Sequence, residues 1–198
     1  MAAVPLPDRE LKMSVQEYTR SILSELEQNA QKIDEDQAMQ LIARIRSAGH
    51  IFLQGAGRSG VAIRGFANRL MHLGFSVSVV GDISSPRARP GDLLIIGSGS
   101  GETGSLKSLA QKAAESGVGV ALVTMKKDSS IARLAGSILV LPGAVTKEND
   151  HNPVPFSQPM GSAFEQLCFI TYDAIVLELM AQLGETSKTM AARHADLE

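Results

Sequence analysis

The sequence predicts an α/β fold: a three-layer αβα sandwich around a five-stranded parallel sheet in flavodoxin-like order, with extra helices at the N-terminus. Three observations carry this. From His50 onward, short apolar runs alternate with helical segments, the rhythm of βα units that place parallel strands between helices. Two glycine-rich loops each follow an apolar run and lead into a helical pattern. The first fifty residues lack that rhythm and read as two amphipathic helices.

Each element has its own signal. Ser14-Val15-Gln16-Glu17 has the spacing of a capping box, and Val15, Tyr18, Ile22 and Leu26 then recur at helical intervals. Asp34 reads as a second cap, followed by Ala38, Leu41, Ile42 and Ile45. These two helices have spare faces for packing on the core or on another subunit. Strands are expected at 51–54, 76–80, 93–96, 118–123 and 137–141, and helices around 61–72, 103–116 and 129–135. The stretch 86–90 is too short and proline-rich for a crossover helix, so that connection is expected to be irregular. Residues 142–161, with Pro142, Pro153, Pro155 and Pro159, read as loop, and 162–183 as a largely apolar helix.

Composition narrows the function. The chain has 198 residues, and its 19 basic and 21 acidic side chains nearly cancel. It has no Trp and two Tyr, so neither a polybasic surface nor a base-stacking platform is present, and no nucleic-acid partner is expected. Cys168 is the single cysteine, which rules out an intramolecular disulfide and suits a reducing cytoplasm. Residues 1–13 carry Asp8, Arg9, Glu10 and Lys12 without an apolar stretch of signal-peptide length. No run approaches the ~20 apolar residues of a membrane span. A cytoplasmic protein with no membrane partner is therefore expected.

Ser98-Gly99-Ser100-Gly101-Glu102-Thr103 is the most informative segment. Three hydroxyls and two glycines between a strand and a helix form a phosphate cradle: the glycines let backbone approach an anion and the hydroxyls donate to it. The helix behind adds free N–H groups and the positive end of its dipole. Gly55-Ala56-Gly57-Arg58-Ser59-Gly60 satisfies G-x-G-x-x-G, with Asp82 near the place of a ribose-binding acid, so a dinucleotide site is a rival. In a sheet of order 2-1-3-4-5, however, the loops after strands one and three flank one crevice. A dinucleotide needs one pyrophosphate loop there, whereas a second hydroxyl-rich loop suits a terminal phosphate. Ser98, Ser100 and Thr103, with backbone at Gly99 and Gly101, are the expected phosphate ligands. Gly57, Arg58 and Ser59 are expected beside them, Arg58 as charge compensation, and Glu102 is expected to point away.

These two loops, together with Ala67-Asn68-Arg69-Leu70-Met71-His72-Leu73-Gly74-Phe75 and Pro159-Met160-Gly161-Ser162-Ala163-Phe164-Glu165, resemble the sugar isomerase (SIS) domain family, and within it the 6-phospho-3-hexuloisomerases of the ribulose monophosphate pathway. The resemblance spans residue 14 to the C-terminus. It leaves 1–13 as an extension and 14–198 as a single SIS domain. Asp196 stands where the family pattern leads one to expect asparagine. The resemblance implies interconversion of D-arabino-hex-3-ulose 6-phosphate and D-fructose 6-phosphate through a cis-enediolate, with no cofactor and no metal. It also implies a homo-oligomer, a tetramer with sites near subunit interfaces.

On this resemblance Glu165 is the candidate base, packed against Phe164 and Met160, and His194, with the Arg193-His194 ending, a candidate acid or base. Alternatives stay open. Ser162-x-x-Glu165 is itself a capping box, and a histidine near a terminus is ordinarily solvated. His72 is expected on a helix surface, His151 in the long loop, Met39, Met71, Met125, Met160 and Met180 as core or interface filler, and Cys168 buried. A non-catalytic SIS sensor would keep Ser98, Ser100 and Thr103 yet need neither Glu165 nor His194. An arabinose 5-phosphate isomerase is the nearest enzymatic rival, and a nucleotide-binding dehydrogenase is third.

Overall fold

The computed structural model describes residues 13–143 and 157–197. Two helices come first, α1 (Val15–Ala30) and α2 (Glu35–Ser47). They are followed by β1 (Ile51–Gly55), α3 (Gly57–His72), β2 (Val77–Val79), β3 (Leu93–Gly97), α4 (Gly104–Glu115) and β4 (Gly119–Thr124). A single 3-10 turn (Ala132–Leu134), β5 (Ser137–Val140), α5 (Ser162–Leu183) and α6 (Ser187–Ala191) complete the order. The strands form one sheet, β2-β1-β3-β4-β5, with every neighbouring pair parallel, as the sequence predicts.

Alternation along the strands divides the core in two. Ile51 and Leu53, Leu93 and Ile95, and Ala121 and Val123 face α2, α3 and α5, where Leu41, Ile45, Ile63, Phe66, Leu70, Phe164 and Leu179 are buried. Phe52, Leu94, Ile96, Val120 and Leu122 face the other way, onto Leu106, Ala110 and Ile131. The central strands β3 and β4 are covered on both faces, so their runs are almost wholly apolar instead of alternating with polar residues. Ser14 and Glu17 make the expected reciprocal capping box on α1, and Asp34 accepts from Gln37 N–H at the start of α2.

Helix α5 departs from one expectation. It has 22 residues and is long and apolar enough, by length and composition, to cross a membrane, contrary to the expectation that no run approaches that length. Its apolar excess is explained by packing. Ala163, Phe164, Leu167, Cys168, Tyr172, Ile175, Val176 and Leu179 are buried, and Tyr172 stacks on Phe66 at 4.6 Å between ring centroids. Burial pushes both the Cys168 thiol and the Tyr172 phenol above their ordinary pKa values, so Cys168 is a core residue as expected. The 129–135 segment forms only the 3-10 turn: Ser130 bonds to Glu102 of the 98–103 loop, Ser129 packs against Gly101, and the Ser129 hydroxyl accepts from Ala132 N–H. Between β2 and β3 there is no helix, and the chain crosses by turns, as the prolines require.

Helix α3 begins at Gly57, four residues earlier than expected, and this sets the shape of the first loop. Gly57 has φ +56°, which lets the chain turn from strand to helix in two residues. A Cβ on Gly60 would lie 2.8 Å from the carbonyl oxygen of Gly55, so the helix and strand backbones touch. Gly60→Ala is therefore expected to cost about 1–3 kcal/mol, the usual cost of overpacking. A lowered chemical-denaturation midpoint checks this, and an unchanged midpoint would mean that the contact relaxes freely.

Candidate active site

In a parallel sheet every strand ends at the same edge, and the helices that follow start there. Parallel pairing of β1 and β3 ends with Gly55 opposite Gly97, so the 55–60 and 98–103 loops leave the sheet side by side. Helices away from this edge have side-chain caps: Ser14, Asp34 and Thr186 each accept a backbone N–H. The three helices that start at it have none. Their N-cap residues, Ala56 for α3, Thr103 for α4 and Gly161 for α5, make no side-chain cap bond. Uncapped first turns present N–H donors and positive dipole ends, which is the requirement of an anion site.

The 98–103 loop is held from behind. Thr124 Oγ1 and Met125 N–H both donate to the carbonyl of Gly99, at 3.1 and 3.0 Å. Ile131 N–H donates to the carbonyl of Gly101 at 3.2 Å, and Ser98 N–H to that of Val123 at 3.0 Å. The Gly99 and Gly101 carbonyls thus turn towards the loop after β4, a peptide orientation that presents N–H groups on the opposite side. Gly101 has φ +62°, and a Cβ there would sit 2.0 Å from Ser129 Oγ, so two constraints demand glycine at this position. Ser98 is buried and its Oγ accepts from Gly101 N–H, while Ser100 Oγ accepts from Glu102 N–H. Both hydroxyl protons remain available to donate to a ligand. Glu102 points away as expected, towards Ser130 and Lys107.

Glu165 meets the first loop, and its neighbour Phe164 meets the second. Phe164 packs against Gly99, and Arg58 Nε donates to Glu165 Oε2 at 2.5 Å. The Glu165 side chain is 17% exposed and that of Arg58 64%. Three expectations are corrected here. Met160 is 89% exposed, so it neither buries Glu165 nor fills a core. Its φ of +57° beside Gly161 at +79° makes a left-handed corner that swings its side chain outward. The Ser162 capping box does not form: Ser162 is inside the helix, its Oγ donates to the Pro159 carbonyl, and Glu165 is free to meet Arg58. Arg58, expected as charge compensation for phosphate, pairs with this carboxylate instead. Beside the pair runs a groove of about 550 Å³ lined by Leu26, Val61, Glu165, Phe169 and Ile170.

The tail is docked, but at the opposite end of the molecule. The His194 ring stacks on His72 with centroids 5.2 Å apart. His72 is buried, not on a helix surface as expected, and it ends α3 fourteen residues beyond Arg58. At 1.5 Å rise per residue, this places His194 roughly 20 Å from Glu165 within one chain. The structure does not bring the two candidate catalytic residues together in a single copy. Arg193 fixes the tail. It donates to the His72 carbonyl at 2.9 Å and makes a two-pronged ion pair with Glu185 at 2.9 and 3.0 Å. The predicted loop residue His151 lies outside the described residues, as does most of the 1–13 extension.

Sequence reasoning missed the wall behind the 98–103 loop: Thr124, Met125, Ser129 and Ser130. The available signal was positional. Residues 124–130 follow the strand next to β3, so they reach the same sheet edge. Among the described residues no group of His, Cys, Asp and Glu side chains is placed to hold a metal ion.

Comparison with known proteins agrees with this geometry. A model of the SIS domain matches residues 44–165, which run from α2 to the candidate base. The chain is 45% identical to a 3-hexulose-6-phosphate isomerase of Bacillus subtilis over 94% of its own length and all of that protein's. It is 36% identical to the 3-hexulose-6-phosphate isomerase of Mycobacterium gastri, covering 89% of this chain and 88% of the other. Among solved structures, it resembles a Methanococcus jannaschii protein whose crystal structure infers a molecular function of 3-hexulose-6-phosphate isomerase. The TM-score is 0.75 and the identity 33%, over 91% of this chain and 96% of the other.

The Arg193–Glu185 pair makes tail docking sensitive to acid. Hydrogen bonds from Arg193 and then Thr189 hold the Glu185 carboxyl down, to about 2 from an ordinary 4.5. A carboxyl lowered on docking contributes fully above its free value and loses that contribution as pH falls through the docked one. The NMR methyl signal of Met190 is thus expected to keep its docked position above about pH 4.5 and to move between 4.5 and 2. Glu185→Gln is expected to show the released position at neutral pH, and a docked signal in that variant would contradict the assignment.

Proposed function

Because the chain belongs to the SIS domain family, we propose that it is a sugar-phosphate isomerase that interconverts D-arabino-hex-3-ulose 6-phosphate and D-fructose 6-phosphate. The single structural observation that carries this reading is the meeting of three uncapped helix N-termini, two of them opening from the glycine loops, beside a carboxylate. One end of the crevice suits a phosphate and the other suits proton transfer. That pairing is what a phosphorylated ketose needs.

The chemistry moves a carbonyl from C3 to C2. A proton leaves C2, a cis-enediolate forms, and a proton arrives at C3, so one base on one face of the substrate serves both carbons. Glu165 is that base on our reading. Ser98, Ser100 and Thr103 hold the phosphate with the N–H groups of Gly99 and Ser100, Gly101 serving through the tight turn its φ allows, and Gly57 and Ser59 line the sugar side. Arg58 orients Glu165 through its Nε–H and keeps the carboxylate paired until the substrate displaces it. The 3-ketose has its 6-hydroxyl phosphorylated and cannot close a furanose at C3, so it enters open-chain. Fructose 6-phosphate must first be opened, which is the task for an acid such as His194.

His194 reaches that site only from another copy of the chain, since its docked position lies at the far end of α3 from Arg58. The reading therefore includes a homo-oligomer with shared sites, of which a tetramer is the expected form. Exposed apolar side chains beside the base, Val61, Phe169 and Ile170, are compatible with subunit contact there.

Two experiments test this. Incubation with fructose 6-phosphate in deuterated water is expected to give carbon-bound deuterium and the 3-ketose by NMR. Glu165→Gln should lower kcat by at least about a hundredfold, the low end of general-base contributions, with substrate binding retained. Binding without exchange in the unaltered protein would leave a sugar-phosphate sensor as the better reading. For shared sites, Glu165→Gln and His194→Ala subunits are mixed after reversible dissociation. Activity above either variant alone is expected, and its absence would place both residues in one copy or remove His194 from the site.

A further inference from the structure

We infer that Glu102 is a positioning residue that, through its bonds to Ser130, locks the 98–103 loop in its anion-binding shape and so sets the affinity for the substrate's phosphate. This rests on reading that loop as the phosphate grip. A carboxylate inside such a loop is at first sight a defect, because like charges at short range repel. Its bonds show what it gains. Glu102 Oε1 accepts from Ser130 N–H at 2.6 Å and Oε2 from Ser130 Oγ at 2.8 Å, a join across 28 positions of sequence. Arg133 Nη2 donates to the same Ser130 hydroxyl at 3.2 Å, which commits the hydroxyl's own proton to Glu102.

The join closes a two-sided clamp. On one side stand Gly101 and Thr103, the neighbours of Glu102 in the phosphate loop. On the other stand Ser129, whose Oγ fills the space where a Gly101 side chain would be, and Ile131, whose N–H holds the Gly101 carbonyl. Ser130 lies between these two, so a tether at Ser130 keeps both in register with Gly101. The bonds from Thr124 and Met125 act one peptide earlier, on Gly99. Asp128 lies in the same turn, and its carbonyl accepts from Arg133 Nη1 at 3.1 Å. The charges facing Glu102 are Lys107, at 3.4 Å from its own helix side, and Arg133 beyond Ser130. The Ser130 N–H, then its hydroxyl, hold the Glu102 carboxyl below the usual carboxylate range.

Charge and position make opposite predictions, which is what makes the inference testable. If Glu102 acts only as a nearby negative charge, Glu102→Gln tightens phosphate binding. If it is the tether, the same change weakens binding, because an amide turns a donor towards Ser130 where the carboxylate offered an acceptor. We expect roughly a tenfold rise in KM for fructose 6-phosphate and in the inhibition constant of inorganic phosphate, the scale of one charge-assisted hydrogen bond, with kcat within about twofold. Ser130→Ala removes one of the two bonds and keeps the backbone one, so a smaller rise of about threefold is expected, and combining the two changes should add little to Glu102→Gln alone.

Unchanged or tighter phosphate inhibition in Glu102→Gln overturns the inference. Should that variant fail to fold, Ser130→Ala decides: an unchanged KM there overturns it equally. Failure of the underlying reading looks different. It would appear in the unaltered protein as a lack of competition by inorganic phosphate, and as a Ser100→Ala variant with an ordinary KM.

Discussion

The parallel pairing of β1 with β3, carried up to the Gly55–Gly97 step, is the constraint on which the rest of this molecule depends. Both strands stop at the same level, and both stop on glycine. The chain can therefore turn at once into α3 on one face of the sheet and, six residues later, into α4 on the other. Two helix N-termini that are 47 residues apart in sequence come to border one crevice. Had either strand continued by two residues, its helix would have started outside the crevice, and the dipole and N–H donors would have been lost to solvent. The touching backbones of Gly55 and Gly60 keep the first loop this short.

The crevice is shaped before any ligand reaches it. A peptide plane has only two sides to offer, so drawing the Gly99 and Gly101 carbonyls backwards onto β4 and the turn after it turns N–H groups forward. Preorganised donors of this kind need little rearrangement when charge arrives, and this is where most electrostatic advantage in binding and catalysis comes from. The helices that stabilise the outside of the fold use side chains to satisfy their first turns, while the helices at the crevice leave theirs unsatisfied. A protein that tolerates three uncapped N-termini at one place gives up roughly 0.5–2 kcal/mol at each, a cost that a bound anion offsets.

The two ends of α3 divide the labour. Its start carries Arg58 and meets Glu165, and its end carries His72 and receives the tail through Arg193 and His194. A rigid helix of 16 residues cannot bring its own ends together. On the proposed reading, the missing acid is supplied by symmetry: a second copy brings its tail to the first copy's crevice, and both sites are completed by one interface. The dependence of tail docking on Glu185 then becomes a dependence of the neighbour's active site.

Much of this was legible in the residues themselves. Strand and helix alternation dictated the parallel sheet and its order, because apolar runs of that length can be satisfied only between two helical layers. The hydroxyls and glycines of the 98–103 loop marked it as the segment to follow, and the structure sets it beside the first glycine loop at one sheet edge. Local chemistry was less trustworthy where two local rules competed. The Ser162–Glu165 spacing fits a cap, yet the left-handed corner at Met160 and Gly161 starts the helix one residue too early for it. Long-range partners were not legible at all. That Arg58 meets Glu165 instead of a phosphate, that Ser130 tethers Glu102, and that His194 rests on His72 are consequences of which elements the sheet sets side by side. The sequence by itself determined the layers and the place of the two glycine loops, because both follow from periodicity and residue type over a few neighbouring positions. Only the tertiary structure decided which groups face one another across that loop, because contacts between residues 28 to 122 positions apart have no local signature and appear only when the chain is packed.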